Sequence, residues 1–273
     1  MLLYYHGGLI IDCRALETMA LPRFYCPEPI IAGQIIKLPA GVAHHALGVL
    51  RLEQGDKLIL FDGSGGEFQA TMARIGKGGA TAAVEEYLEI ERESPLAITL
   101  AQAICANEKM DWIVQKAVEL GVSRVQPLVT KLSTVKLSGE RAERRIKHWQ
   151  KIVVSACEQC GRNRVPQVLP LLSLSGWLGS QMDERRNLSN GAPPNPCFML
   201  LPTARKGLHD FREPAAITAL TIVVGPEGGF TPEEEAAALT TGFIPIRLGR
   251  RILRTESAAL AAVAAIQALW GDY

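Results

Sequence analysis

Leu220-Thr221-Ile222-Val223-Val224-Gly225-Pro226-Glu227-Gly228-Gly229-Phe230-Thr231-Pro232-Glu233-Glu234 is the stretch that decides the fold. Its first five residues are apolar or β-branched, too few for a helix and closed by glycine, and they read as a buried strand. The loop that follows holds three glycines, which leave room for close approach of another group. Thr231 then supplies an N-cap, Pro232 the first helical position, and Glu234 an acid three residues after the cap. That is a capping box, so a helix starts here. The pattern repeats downstream, with a strand over Phe243 to Leu248, a loop from Gly249 to Arg254, and Thr255-Glu256-Ser257 opening an alanine-rich helix to Trp270. Open α/β sheets bind ligands where such loops leave the ends of parallel strands.

Neither loop suits a nucleotide. A P-loop requires a Gly-Lys-Ser/Thr ending, and a dinucleotide fold requires G-x-G-x-x-G with an acid some way on; neither loop fits either pattern. Taken singly, each loop is a tight turn of an α/β domain. Taken together, GPEGGF (225–230) and LGRRILRTESA (248–258) resemble the two C-terminal signatures of the SPOUT methyltransferases. More narrowly, they are similar to the family that methylates N3 of a uridine in small-subunit (16S) ribosomal RNA. Lys109-Met110-Asp111-Trp112, Gln115 to Gly121, and the EQCGR segment Glu158 to Arg162 extend the resemblance in the family's order.

The resemblance implies an α/β fold: a C-terminal SPOUT-type domain with a trefoil knot and a mostly parallel sheet, preceded by a small PUA-like β-barrel. It implies S-adenosyl-L-methionine as cofactor, held by Leu201, Pro202, Gly225, Pro226, Glu227, Gly228, Leu248, Gly249, Ile252, Leu253, Thr255 and Ala258. The cofactor has no phosphates, which fits the lack of a P-loop lysine. Arg254 is the candidate for stabilising a uracil anion, Glu256 for the base with Glu227 behind it, and Arg162 a further catalytic candidate. RNA contact falls to Arg23, Phe24, His44, Arg51, Arg144, Gln159 and Arg162. The implied partners are 16S ribosomal RNA, within the assembled small subunit, and a second copy of the chain. Competing readings are a SPOUT enzyme acting on another ribosomal or transfer RNA nucleotide, and a non-catalytic RNA-binding assembly factor.

Outward from these motifs, the 273 residues allow one large or two ordinary domains. A net charge of +1 puts any nucleic-acid affinity in local patches rather than in the whole. Six cysteines lack the spacing of a disulfide framework and read as reduced, hence cytoplasmic. No apolar run reaches membrane-spanning length.

Residues 1–20 read as an N-terminal extension without function, because the family begins near Pro22-Arg23-Phe24 and Met19 is a natural start. Residues 21–93 show short strands and turns: Gln34 to Leu38, Lys57 to Phe61, Glu67 to Ile75 with Phe68, Ala70 and Met72 on one face, and Ala80 to Ile90. A helix over Ala40 to Arg51 is expected to point Val42, Leu47 and Leu50 inward. Gly76 to Gly79 reads as a turn. The adjacent His44 and His45 point apart on a helix and have no cluster to complete a metal site, so no metal is expected.

Residues 94–273 alternate strand and helix, which indicates a parallel sheet. Asn107 to Leu120 carries Met110, Ile113, Val114 and Ala117 on one stripe and stops at Gly121. Ser138 to Arg162 reads as one long basic helix. Its Cys157-x-x-Cys160 has no second pair for zinc and lies at a helix end, unlike a redox motif. Asp183 to Pro196 reads as a long surface loop, and Cys197 to Leu201 as a strand returning to the glycine loop.

Overall fold

The structure, a computed structural model, describes residues 21–76, 79–187, 195–211 and 217–273. The proposed extension 1–20 lies outside the described residues, as do the centres of the 76–79 turn and of the 183–196 segment. The chain forms two compact units. One takes the residues up to Glu93 together with Cys157–Val165; the other takes Ser94–Ala156 and Pro166–Tyr273. The sequence reading assigned residues 157–165 wholly to the second unit. Their hydrogen bonds instead go to residues of the first.

In the first unit, β1 (Arg23–Tyr25), β2 (Ile35–Lys37), β3 (Lys57–Phe61), β4 (Glu67–Gly76) and β5 (Gly79–Leu88) form one sheet in the order β1-β3-β4-β5-β2. All of its pairings are antiparallel except β1 with β3. Phe24, Leu58, Leu60, Ala70, Met72 and Val84 build its core. Helix α1 (Ala40–His44) continues into a π-turn over His45–Val49. That extra residue per turn shifts the inward face: Ala43 and Ala46 are buried, and Leu50, expected inward, is 43% exposed. Small alanines let the helix lie close to the sheet. Val42 and Leu47, expected inward, do pack against this core as half-buried side chains, so Leu50 alone departs from the expected stripe.

A buried ionic cluster ties segment 157–165 into this unit. Glu67 is fully buried, and its Oε2 accepts hydrogen bonds from Arg23 Nη1 at 2.7 Å, Arg92 Nη1 at 2.9 Å and Asn163 Nδ2 at 3.2 Å. Arg92 also donates to the Gly161 carbonyl at 3.0 Å, and Arg162 is clamped by both oxygens of Glu93. A carboxylate without water is tolerated only when paired and hydrogen-bonded in this way.

The second unit is a seven-stranded sheet in which every pairing is parallel. Its strands are β6 (Ala97–Ala103), β7 (Val122–Val129), β8 (Gln167–Val168), β9 (Leu172–Ser173), β10 (Cys197–Leu200), β11 (Ala219–Val224) and β12 (Ile244–Ile246). The order is β12-β10-β11-β6-β7-β8, with β9 also on β7. Parallel sheets need both faces covered. The helices that connect the strands are α2 (Asn107–Glu119), α3 (Gly139–Cys160), α4 (Leu174–Asn187), α5 (Pro232–Thr240) and α6 (Thr255–Trp270). Helix α2 buries Met110, Ile113, Val114 and Ala117, as its stripe requires, and packs on α6. The capping box of α5 is present with both of its reciprocal bonds.

Residues 183–187 are not loop but the end of α4, a helix whose first turn buries Leu174, Trp177 and Leu178. Its interior carries glycine and polar residues, so it lacks the period that marks α2. Among the described residues, no helix is long and apolar enough to cross a membrane, no group of side chains is arranged for a metal ion, and all cysteines are free.

Candidate active site

The C-terminal ends of β10, β11 and β12 release three loops, and these enclose a cavity of about 500 Å³. Its walls come from Leu200–Thr203, from Val224–Glu227 with Gly229 and Phe230, from Arg247–Gly249, and from Arg251–Thr255 with Ala258; Lys109 and Glu235 complete it. Three sequence-distant segments meet because their strands are neighbours in the order β12-β10-β11. The volume suits a small organic ligand.

Of the residues expected to hold a cofactor, Leu201, Pro202, Gly225, Pro226, Glu227, Leu248, Gly249, Ile252, Leu253, Thr255 and Ala258 line this cavity. Gly228 does not; a Cβ there would stand 3.1 Å from Leu132 Cβ. Gly225 is a close-approach glycine. A Cβ on it would stand 3.0 Å from Phe230 Cε2, so any side chain would displace the ring that forms the cavity wall. Gly229 has φ +71, where a glycine turns the loop without strain.

Thr255 is buried, and its hydroxyl is committed to the frame. It donates to the Gly225 carbonyl at 2.6 Å and accepts from Gln102 Nε2 at 3.1 Å. One side chain thereby locks the β11 loop, the start of α6 and the end of β6 together. Sequence reading marked Thr255 as a ligand contact; the structure makes it the joint between the two glycine loops.

Charge is distributed unevenly in the cavity. Lys109 Nζ donates to Glu227 Oε1 at 3.0 Å and stands 3.6 Å from Glu256 Oε2. The hydrogen bond to Glu227 raises the lysine above its ordinary pKa, with both carboxylates adding to the effect. Burial pushes the Glu227 carboxyl up, but its own backbone amide, Lys109 and the Ala106 amide outweigh that and leave it below its ordinary value. Glu256 Oε2 is buried without a hydrogen-bond partner among the described residues. Glu256 itself is not part of the cavity wall but sits one residue beyond it.

Arg254 lines the cavity from the N-cap position of α6. An arginine beside Glu256 has an obvious local partner in sequence, yet among the described residues Arg254 forms no ion pair; Glu256 faces Lys109 instead. The guanidinium is left available to a ligand. Arg162, the remaining catalytic candidate, is buried in the first unit and bound to Glu93.

The expected RNA-contact residues divide in the same way. His44, Arg51, Arg144 and Gln159 are exposed. Arg23 and Phe24 are buried, the former held by Glu67 and the latter in the core. A Pro-Arg-Phe run carries no signal that distinguishes a surface arginine from the partner of a buried glutamate.

Sequence reasoning did not select Lys109, Thr203, Phe230, Glu235, Arg247 or Arg251 as site residues. Lys109 stood inside a quoted motif, but its placement depends on α2 starting beside the β11 loop, which no local pattern encodes. Phe230 ended the glycine motif and was its nearest legible signal.

The cavity suits a cofactor that has an apolar body, polar edges and a mixture of charges but no phosphate. Leu200, Leu201, Val224, Phe230, Leu248 and Leu253 supply the apolar wall, backbone groups of the loops supply polar edges, and the Glu256–Lys109 ion pair lies adjacent.

Comparison with known proteins agrees with this arrangement. An RNA methyltransferase domain family matches residues 92–267, and an RNA methyltransferase PUA domain family matches residues 38–85. The ribosomal RNA small subunit methyltransferase E of Buchnera aphidicola is 31% identical over 95% of this chain and 98% of its own length. The crystal structure of ribosomal RNA small subunit methyltransferase E from Neisseria gonorrhoeae, bound to S-adenosyl methionine, is 40% identical. It superposes with a TM-score of 0.81 over 93% of this chain and 99% of that one. A Legionella pneumophila protein solved in complex with bound SAM is 36% identical, with a TM-score of 0.84 over 93% of this chain and 99% of that one. With its parallel sheet, its cavity between three strand-end loops and its full-length matches, the chain belongs to the RNA methyltransferase family of ribosomal RNA small subunit methyltransferase E.

Proposed function

We propose that the chain is an S-adenosyl-L-methionine-dependent methyltransferase acting on N3 of a uridine in 16S ribosomal RNA of the small subunit. The observation that carries this reading is the cavity of three strand-end loops with an unpaired Arg254 in its wall. When bound there, the cofactor supplies an electrophilic methyl group. Leu201, Pro202, Gly225, Leu248 and Leu253 hold it through backbone groups and apolar contact, with Phe230 closing one side.

The chain's own residues address the proton on N3. That nitrogen is a poor nucleophile until its proton leaves, and the resulting charge spreads onto the flanking carbonyl oxygens. Arg254 donates hydrogen bonds to those oxygens, which lowers the cost of forming the anion. Glu256, whose Oε2 accepts no hydrogen bond among the described residues, accepts the proton; Glu227, kept ionised by its own backbone amide together with Lys109, keeps a second carboxylate on the other side of that lysine.

Residues 21–93 act in this reading as the RNA-binding domain and residues 94–273 as the methyltransferase domain. The exposed His44, Arg51, Arg144 and Gln159 touch RNA. The enzyme works in the cytoplasm on the assembled subunit as a homodimer. Supporting the dimer, α6 buries Ala258, Ala259, Ala262, Val263 and Ile266 on one face yet leaves small residues Ser257, Ala261 and Ala268 exposed on another. A small-residue face admits close approach of a second helix.

The test is methyl transfer to small subunits from a strain lacking the enzyme, followed by mass spectrometry of the nucleosides. Label in 3-methyluridine of 16S RNA is expected. Label in a ribose or another base overturns the N3 reading, and cofactor binding without transfer to any RNA overturns the enzymatic one.

A further inference from the structure

The cavity rim carries a charge that the proposed chemistry does not use. The strand β12 and the segment before the 3₁₀ turn Leu208–Phe211 run side by side, since the Arg247 amide donates to the Lys206 carbonyl at 2.9 Å and Arg247 forms a parallel bridge with Gly207. These two hydrogen-bonded segments bring Arg205 and Lys206 beside Arg247, with Arg250, Arg251 and Arg254 following on the same loop. All six are exposed, and among the described residues none forms an ion pair. Of the described acids nearby, Asp210 accepts from the Gly207 amide at 2.8 Å and lies 3.3 Å from His209, and Glu235, which lines the cavity, forms no ion pair with these cations. Lys206 Nζ lies 5.5 Å from the Phe211 ring centroid. Lys116, Lys131 and Arg144 of the same unit each have a carboxylate within salt-bridge reach; what sets these six apart is that they lie together on two hydrogen-bonded segments at the cavity rim.

Six like charges on two adjacent segments repel one another, and the chain as a whole is nearly neutral, so the field here is local. A polyanion relieves that repulsion. Arginines spaced along a loop match the repeating phosphates of a nucleic-acid backbone, which need charge and reach rather than a shaped pocket.

We infer that Arg205, Lys206 and Arg250, together with the cavity-lining Arg247 and Arg251, form a phosphate-binding rim by which the methyltransferase unit itself grips single-stranded RNA next to the nucleotide entering the cavity. The inference rests on the proposed methylation of ribosomal RNA and adds the surface that presents the substrate. Base identity is not read here. Phosphate contacts position the strand and leave selection to the cavity.

Arg205, Lys206 and Arg250 do not line the cavity, so they separate RNA grip from cofactor binding. The experiment compares the full-length chain with the triple variant R205Q/K206Q/R250Q. RNA affinity is measured by fluorescence anisotropy on a labelled 16S RNA fragment over a salt series, and S-adenosylmethionine affinity by calorimetry. Cofactor affinity should stay within about twofold while RNA binding at low salt falls about tenfold or more. The slope of log K against log salt should lose about 2, from roughly 0.7 for each of three phosphate contacts removed. The conservative variant R205K/R250K should keep the slope. An unchanged slope in the triple variant, or a lost slope in the conservative one, overturns the rim while leaving the enzyme reading intact. A wild-type chain that binds no RNA overturns both.

Discussion

Lys109 Nζ lies 3.6 Å from Glu256 Oε2, an oxygen that accepts no hydrogen bond, while it donates to Glu227 at 3.0 Å. One ammonium from α2 thus stands between a carboxylate of the glycine loop and a carboxylate of α6. Lys109 is held above its ordinary pKa of 10.5 and Glu227 below its ordinary 4.5. A raised lysine contributes fully below 10.5 and loses its contribution as pH rises through its folded value; a lowered carboxyl contributes fully above 4.5 and loses it as pH falls through its own. The pair is therefore intact across the whole range between. Lys109→Met should move the Glu227 carboxyl titration upward, as read by carbon NMR, and reduce turnover about tenfold or more by disturbing the acid–base pair. Lys109→Arg should restore most of both. An unmoved Glu227 titration in Lys109→Met would remove the lysine from this role.

Arg254→Ala should leave S-adenosylmethionine affinity within a few-fold and lower turnover by about 100-fold, the usual loss for one donor to a developing anion. Raising the pH pre-ionises the uridine and should recover part of the rate. Single-turnover kinetics across pH checks this; a wild-type rate at neutral pH would leave the anion-stabilising role unsupported.

Thr255→Val should destabilise the chain by about 1–3 kcal/mol, since the Gly225 carbonyl loses a buried donor. It should also loosen the cofactor site, because the two glycine loops are no longer joined. Thr255→Ser keeps the hydroxyl and should recover both. Denaturant melts and calorimetry measure the two effects separately.

Arg23→Met should cost about 3–5 kcal/mol of stability, the usual consequence of removing one partner from a buried ion pair. The salt dependence of RNA binding, measured under conditions where the variant is folded, should be that of the wild type. A reduced salt slope would place Arg23 on phosphate after all.

The parts of the fold written in local chemistry were legible. The capping box at Thr231, the stripe of α2, and the strand at Ala219–Val224 follow from residue type and spacing, and they place the glycine loops at strand ends. Arg254 and the loops around it were reachable because their motif is contiguous. Lys109 was not, because its role comes from a strand order that brings α2 beside α6. The burial of Arg23 and Arg162 was not legible for a related reason: an arginine's partner decides whether it lies at the surface or in the interior, and Glu67 and Glu93 lie far from them along the chain. Residues 157–165 joined the first unit through those same partners. The end of α4 was missed because its glycines and charges hide a helix anchored by its first turn.

The walls of the cavity are drawn from widely separated parts of the chain, from Lys109 to Ala258. Helix α6 both supplies the final wall and packs on α2, the helix that carries Lys109. Any event that undocks α6 therefore removes one wall of the cavity and the support beneath the lysine together. Cofactor site and packing of this unit stand or fall as one, so a loss of α6 docking reads out as a loss of ligand affinity before the sheet itself opens.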